Sequence, residues 1–193
     1  MFSAIEIRAA LKGLFLLLRF DAQFVNWFDR SPLGARRSFR LMWLLLPLTL
    51  TRLFMVVDAA PDVSPVLVAT GVATYYVLGW IAFPLLLIVI GRALERENQA
   101  ISALSAYNWF GFTLSVAAFL LALMGLVEPL RDAADFLLTA LIIASLVYEA
   151  FLLNTMTGIG YLGSGLLAVV DYIVAQSLLI VLLIAPRIMI PGT

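Results

Sequence analysis

The sequence predicts an all-α fold, a polytopic transmembrane helical bundle, and three observations carry that prediction. Of the 193 residues, 64% are apolar and the mean hydropathy is +1.08, whereas soluble domains use roughly 45–50% apolar residues. The charges are bunched, leaving runs that approach or exceed the ~20 apolar residues needed to cross a ~30 Å hydrocarbon layer. The alternating ~10-residue segments of an outer-membrane barrel are absent. Five spans fit between the polar punctuation, preceded by an amphipathic N-terminal interfacial helix.

That helix is expected within SAIEIRAALKGLFLLLRF, residues 3–20. At 100° per residue, Arg8, Lys12 and Arg19 fall within about 40° of one another, with Ile, Leu, Phe and Ala around the rest. Such a helix lies at the headgroup level with its cations snorkelling to phosphate. A signal peptide is rejected, because Arg19 interrupts an apolar run that begins only at Leu14. Next comes a polar connector, DAQFVNWFDRSPLGARRSFR, in which Ser31-Pro32 and Gly34 mark a turn. Residues 1–40 thus form a cytoplasmic segment ending in Arg36, Arg37 and Arg40, with seven cations against three anions.

Residues 41–193 form the five-span domain, with spans at about 41–57, 65–91, 107–127, 136–156 and 161–186. Pro84 should kink the second span. Arginine placement puts the amino terminus in the cytoplasm and the carboxyl terminus on the exoplasmic side. Arg36, Arg37, Arg40, Arg92 and Arg96 fall inside, while Asp58, Asp62 and the Glu128–Asp135 loop fall outside. Four tryptophans, with Tyr107 and Tyr161, read as interfacial belt anchors, except Trp80, which should pack inside. LEREN, residues 94–98, reads as a solvated helix end.

Three ionisable residues interrupt the spans: Arg52, Glu149 and Asp171. Each costs ~2.5–3.5 kcal/mol near a helix centre on insertion scales, so each should face protein or water. At ~1.5 Å per residue, Arg52 and Asp171 lie roughly 16 and 15 Å from the inner boundary, and Glu149 about 10 Å. Matching depth and opposite sign predict an Arg52–Asp171 ion pair clamping the first span to the fifth. Structural glue is the favoured role of the three, over a proton or cation path through Glu149 and Asp171, because the spans offer little other polar lining.

Cysteine and histidine are absent. That removes thiolate nucleophiles, Cys/His metal sites and histidine-based acid–base or haem chemistry. No nucleophile–base pair can be nominated, so neither an enzyme, a cofactor nor a metal is expected. Gly158-Ile-Gly160-Tyr-Leu-Gly163 satisfies the dinucleotide pattern, but its mechanism needs a preceding strand. It reads instead as a tight turn, with Gly163 and Gly165 permitting close helix packing. Gly111-x-x-x-Ser115, Ala118-x-x-x-Ala122 and Ala140-x-x-x-Ala144 are small-residue rows suited to helix contact.

Several stretches taken in order resemble the Yip1-domain family of five-span membrane proteins. They are the amphipathic start, LRFDAQFVNWFDRSPLGARRSFR, SALSAYNW opening the third span, LVYEAFLLNTMTGIG, and LLAVVDYIVAQSL in the last span. The resemblance implies a bacterial-type member that scaffolds or assists other integral membrane proteins. Eukaryotic members act in vesicle traffic through small GTPases, but their acidic D-L-Y-G-P segment has no counterpart here, so GTPase binding is not carried over. A small transporter or channel and an accessory subunit of a respiratory or photosynthetic complex remain the alternatives. The expected partners are the lipid bilayer and other membrane proteins, with no nucleic acid and an unknown small-molecule substrate. Near absence of lysine and richness in Ala, Leu and Arg suggest a bacterial inner membrane.

Overall fold

The computed structural model describes residues 2–58 and 64–181, with the side chains of residues 52–58 and of Pro65 outside the described set. The described residues are helical throughout, joined by short turns. Helix α1 (Ala4–Leu18) opens with a capping box: the Ser3 hydroxyl accepts from the Glu6 N–H at 3.1 Å, and Glu6 Oε2 accepts from the Ser3 N–H at 2.6 Å. These bonds, led by the Ser3 N–H and helped by Arg37, hold the Glu6 carboxyl below the usual range. A 3-10 turn (Ala22–Trp27) and a short α2 (Pro32–Ser38) follow. Ser31-Pro32 is therefore a helix start, not the anticipated turn. The Ser31 hydroxyl caps Gly34 N–H at 3.0 Å and proline occupies the first helical turn.

The long elements are α3 (Leu41–Asp58), α4 (Pro65–Ala93), α5 (Glu97–Met124), α6 (Arg131–Thr157) and α7 (Tyr161–Leu179). Four segments are long and apolar enough to cross a membrane: Val66–Ala93, Glu97–Met124, Glu128–Thr157 and Tyr161–Leu179. The chain is thus built as a multi-pass helical membrane protein would be. Helix α4 runs unbroken through Pro84. Helix α5 begins ten residues earlier than the apolar pattern suggests, because Glu97 to Ala106 are already helical. The anticipated end of the last span at Pro186 and the Asp62 loop residue lie outside the described residues.

Helices α4, α5, α6 and α7 close a ring, each touching the next and α7 returning to α4, while α3 packs on α4 and α5. Gly91 lets α4 approach α5, since a Cβ there would sit 2.6 Å from that of Ala100. The Tyr76 hydroxyl donates to the Met42 carbonyl, tying α4 to α3.

Residues 2–40 form a cap on one end of this ring. Ala10, Leu14 and Leu17 of α1, with Phe24, Phe28 and Ala35, share one buried cluster with Leu87, Ala103, Phe110 and Leu152. So the connector expected to be polar contributes core. Asn108 Nδ2 donates to the Ser38 hydroxyl at 2.8 Å, which donates to the Ala35 carbonyl at 2.7 Å. Both residues are buried, and this chain pins α2 to α5. Phe20 closes the cap at a cost: its φ is 54°, a region bulky residues avoid. Its ring stacks on Tyr148 at 4.7 Å and meets Phe151 edge-on at 5.3 Å, contacts that hold the strained backbone in place.

The same end carries the α6–α7 turn. Gly158 (φ 67°) and Gly160 (φ 93°) supply the left-handed backbone that the turn needs. Arg96 leaves the charged α4–α5 turn to donate to the Thr157 carbonyl at 2.8 Å, while Arg92 and Glu97 form the solvated pair expected there, at 2.5 Å. A Cβ on Gly158 would lie 2.6 Å from Arg96 Nη1. Gly158→Ala is expected to cost about 1–3 kcal/mol by combining a strained φ with displacement of that arginine. Thermal unfolding in mild detergent measures it, and a midpoint equal to wild type refutes the assignment.

Candidate functional site

Transmembrane helices of one chain gain little from the hydrophobic effect, because lipid tails are as apolar as leucine. Polar groups buried between such helices therefore stand out as the specific contacts. Here α5, α6 and α7 bring together Tyr107, Glu149 and Asp171. The Tyr107 hydroxyl donates to Asp171 Oδ2 at 2.7 Å. Glu149 lies close enough to Asp171 for the two carboxyl groups to interact electrostatically. The Phe83 ring of α4 leans on Tyr107, centroids 5.0 Å apart. The cluster thus has a contribution from every helix of the ring.

The helical register explains the meeting. Glu149 lies eight residues before the end of α6 and Asp171 ten after the start of α7, so they stand about 12 and 15 Å from the shared turn. Glu149 is buried at 6% exposure, and its Oε1 has no hydrogen-bond partner among the described residues. The Ser164 hydroxyl, on the first turn of α7, is likewise buried without one.

Glu149 and Asp171 are brought together, as two of the three intramembrane charges. The anticipated Arg52–Asp171 pair is not described, because the Arg52 side chain lies outside the described residues. Within them Asp171 Oδ2 accepts from Tyr107. Tyr107 was expected as a belt anchor and is a cluster member; Trp109, also expected at an interface, is buried against Phe2 at 5.1 Å. Trp43 and Tyr161 are exposed as belt anchors would be. Trp80 is half-buried against the core.

The surface cations Arg8, Lys12, Arg19, Arg36, Arg37 and Arg40 are all exposed. Lys12 Nζ sits 3.9 Å over the Trp27 ring, Arg19 lies over Phe15 at 5.5 Å, and Arg37 approaches Glu6 at 3.7 Å. Between α1, the connector and α5 is a cleft of about 160 Å³ that includes Glu6, Asp29, Arg37 and Ser105. Asp29, hydrogen-bonded by the Ser31 side chain and N–H, has its carboxyl held below the usual range. Among the described residues no group of three acidic, histidine or cysteine side chains could hold a metal ion. Compared with family models, curated proteins and solved structures, the chain matches none of them.

Proposed function

We propose that the chain is a non-enzymatic membrane protein of scaffold or assembly type, with five spans, its amino end cytoplasmic and its carboxyl end exoplasmic in a bacterial inner membrane. This is the reading that its resemblance to Yip1-domain proteins implies. The observation that carries it is the disposition of glycine. The fold uses Gly13 and Gly91 for close approach, yet a Cβ at Gly79, Gly111 or Gly165 would meet none of the described residues within 4 Å. Among the described residues, Gly111 and Gly165 therefore make no close helix approach. A mid-helix glycine costs about 1 kcal/mol against alanine, and packing among the described residues returns nothing for these three. A second membrane helix laid against such a face would, because small residues let backbones approach.

Gly79→Leu, Gly111→Leu and Gly165→Leu are expected to leave the chain folded while abolishing its co-purification with other membrane proteins in mild detergent. Partner recovery unchanged in all three variants counts against the scaffold reading.

A second reading follows from the unpaired Glu149 Oε1: the Glu149–Asp171 pair exchanges a proton or cation. An acid buried in a membrane protein with an unfilled acceptor is a functional candidate. Vesicles containing the purified protein would then pass protons or cations, and Glu149→Gln would stop the flux without unfolding the chain.

A further inference from the structure

We infer that α1 lies in the plane of an anionic membrane surface, with Ile7, Leu11, Phe15 and Leu18 against acyl chains and Arg8, Lys12 and Arg19 at lipid phosphates. The proposal stands on how the structure divides this helix into faces. At 100° per residue, the buried Ala10, Gly13, Leu14 and Leu17 occupy one arc of about 100°. Ile7, Leu11, Phe15 and Leu18 occupy the next, within about 80°, and all four are 41–58% exposed. The three cations form a third arc beside them. An amphipathic helix in water would bury its apolar positions on one side. Helix α1 has two apolar sides, and the protein covers only one.

The path of α1 places the uncovered side. Phe2 before its start touches Trp109 of α5, while Phe20 after its end stacks on Tyr148 of α6. Tyr148 Oη also donates to the Leu18 carbonyl at 3.2 Å. Trp109 stands twelve residues from the start of α5 and Tyr148 nine from the end of α6, about 18 and 14 Å. Those two helix ends lie together, joined by Arg96 and Thr157. Helix α1, about 22 Å long, therefore crosses the bundle at nearly constant height.

The connector lies on the helix-end side of α1. Trp27 and Phe28 pack under Gly13, and Arg30 shares a pocket with Asn98, Gln99 and Ser102 at the start of α5. Gly13 is about 160° around the wheel from the middle of the exposed apolar arc. That arc consequently faces away from the helix ends, toward the apolar length of the bundle, which is where lipid stands. The basic arc points outward at the headgroup level, and its charge complements anionic lipid.

The absence of cysteine from the chain makes the test direct. Leu11→Cys, Phe15→Cys and Lys12→Cys, all at exposed positions, are spin-labelled in the full chain and placed in nanodiscs of phosphatidylethanolamine with phosphatidylglycerol. Collision with oxygen, which concentrates in lipid, is compared with collision with a water-soluble nickel chelate. The oxygen-to-nickel ratio is expected to be several-fold higher at positions 11 and 15 than at 12. Adding Arg8→Gln and Arg19→Gln to the Leu11→Cys chain should lower its ratio, and phosphatidylcholine discs should do the same to the parent.

A ratio at 11 and 15 equal to that at 12 overturns the proposal. So does exclusion of both reagents from 11 and 15, which would mark a second copy or another protein as the occupant. A ratio insensitive to both the glutamine changes and the lipid charge overturns the role of the basic arc.

Discussion

Asp171→Ala is expected to destabilise the chain more than any other single change in the membrane-spanning part, by about 2–4 kcal/mol. An interhelical hydrogen bond between membrane helices averages only ~0.6 kcal/mol when both partners find alternatives. Here Asp171 accepts the hydrogen bond of the Tyr107 hydroxyl and lies beside the buried Glu149. Removing Asp171 strands the Tyr107 hydroxyl on α5 and the buried Glu149 on α6 together, and each stranded buried group costs about 1–3 kcal/mol. Tyr107→Phe removes one donor and leaves the acid pair in contact, so its cost should stay near 1 kcal/mol. Glu149→Gln should be nearly neutral, because the amide can donate to Asp171 without sharing a proton. Equilibrium unfolding in mixed detergent micelles gives the order Asp171→Ala, Tyr107→Phe, Glu149→Gln. If Tyr107→Phe costs as much as Asp171→Ala, the carboxylate is not the hub of the cluster.

Phe24→Ala is expected to cost about 3–5 kcal/mol, the range for truncating a large buried aromatic. Phe24 is fully buried, packs at 5.8 Å from Phe151 and 6.3 Å from Phe28, and belongs to the cap and not to the ring. The cap leaves the ring by exposing its apolar surface to water, so the full transfer term applies to Phe24 as it does not to a lipid-facing leucine. The damage should be local. Trypsin should cut the variant after Arg30, Arg36 or Arg40 in minutes while α4 to α7 stay protected. Simultaneous loss of the cap and the ring would show that the two fold as one inseparable unit.

The sequence made the long helices legible because lipid imposes a composition. The expected 65–91 and the observed Pro65–Ala93 differ by two residues, and the start of α7 at Tyr161 is met. The cap was not legible in the same way. Its Phe24, Phe28, Ala35 and Ser38 are spaced among charges in a pattern with no helical period, since a 3-10 turn and a seven-residue helix carry them. Helix α5 was placed too late for a related reason: Glu97–Ala106 is polar enough to read as a loop, and it is helical because the cap surrounds it. Within the site, the two acids could be nominated from their cost in lipid. Tyr107 could not, because a tyrosine near a predicted boundary has the same composition whether it anchors to headgroups or donates to a carboxylate two helices further along the chain. The depth rule matched Asp171 with Arg52 and set Glu149 shallower, and it is the register of α5, α6 and α7 that gathers the two acids and Tyr107.

The ring closes between its first and last members, and synthesis runs from one to the other. Tyr107 leaves the ribosome before Glu149, and Glu149 before Asp171, so α6 enters the bilayer while its acid has no carboxyl neighbour. Only when α7 arrives, twenty-two residues later in the chain, does that solitary group gain its companion. Arrival of the last helix would therefore be the event that closes the ring around α6.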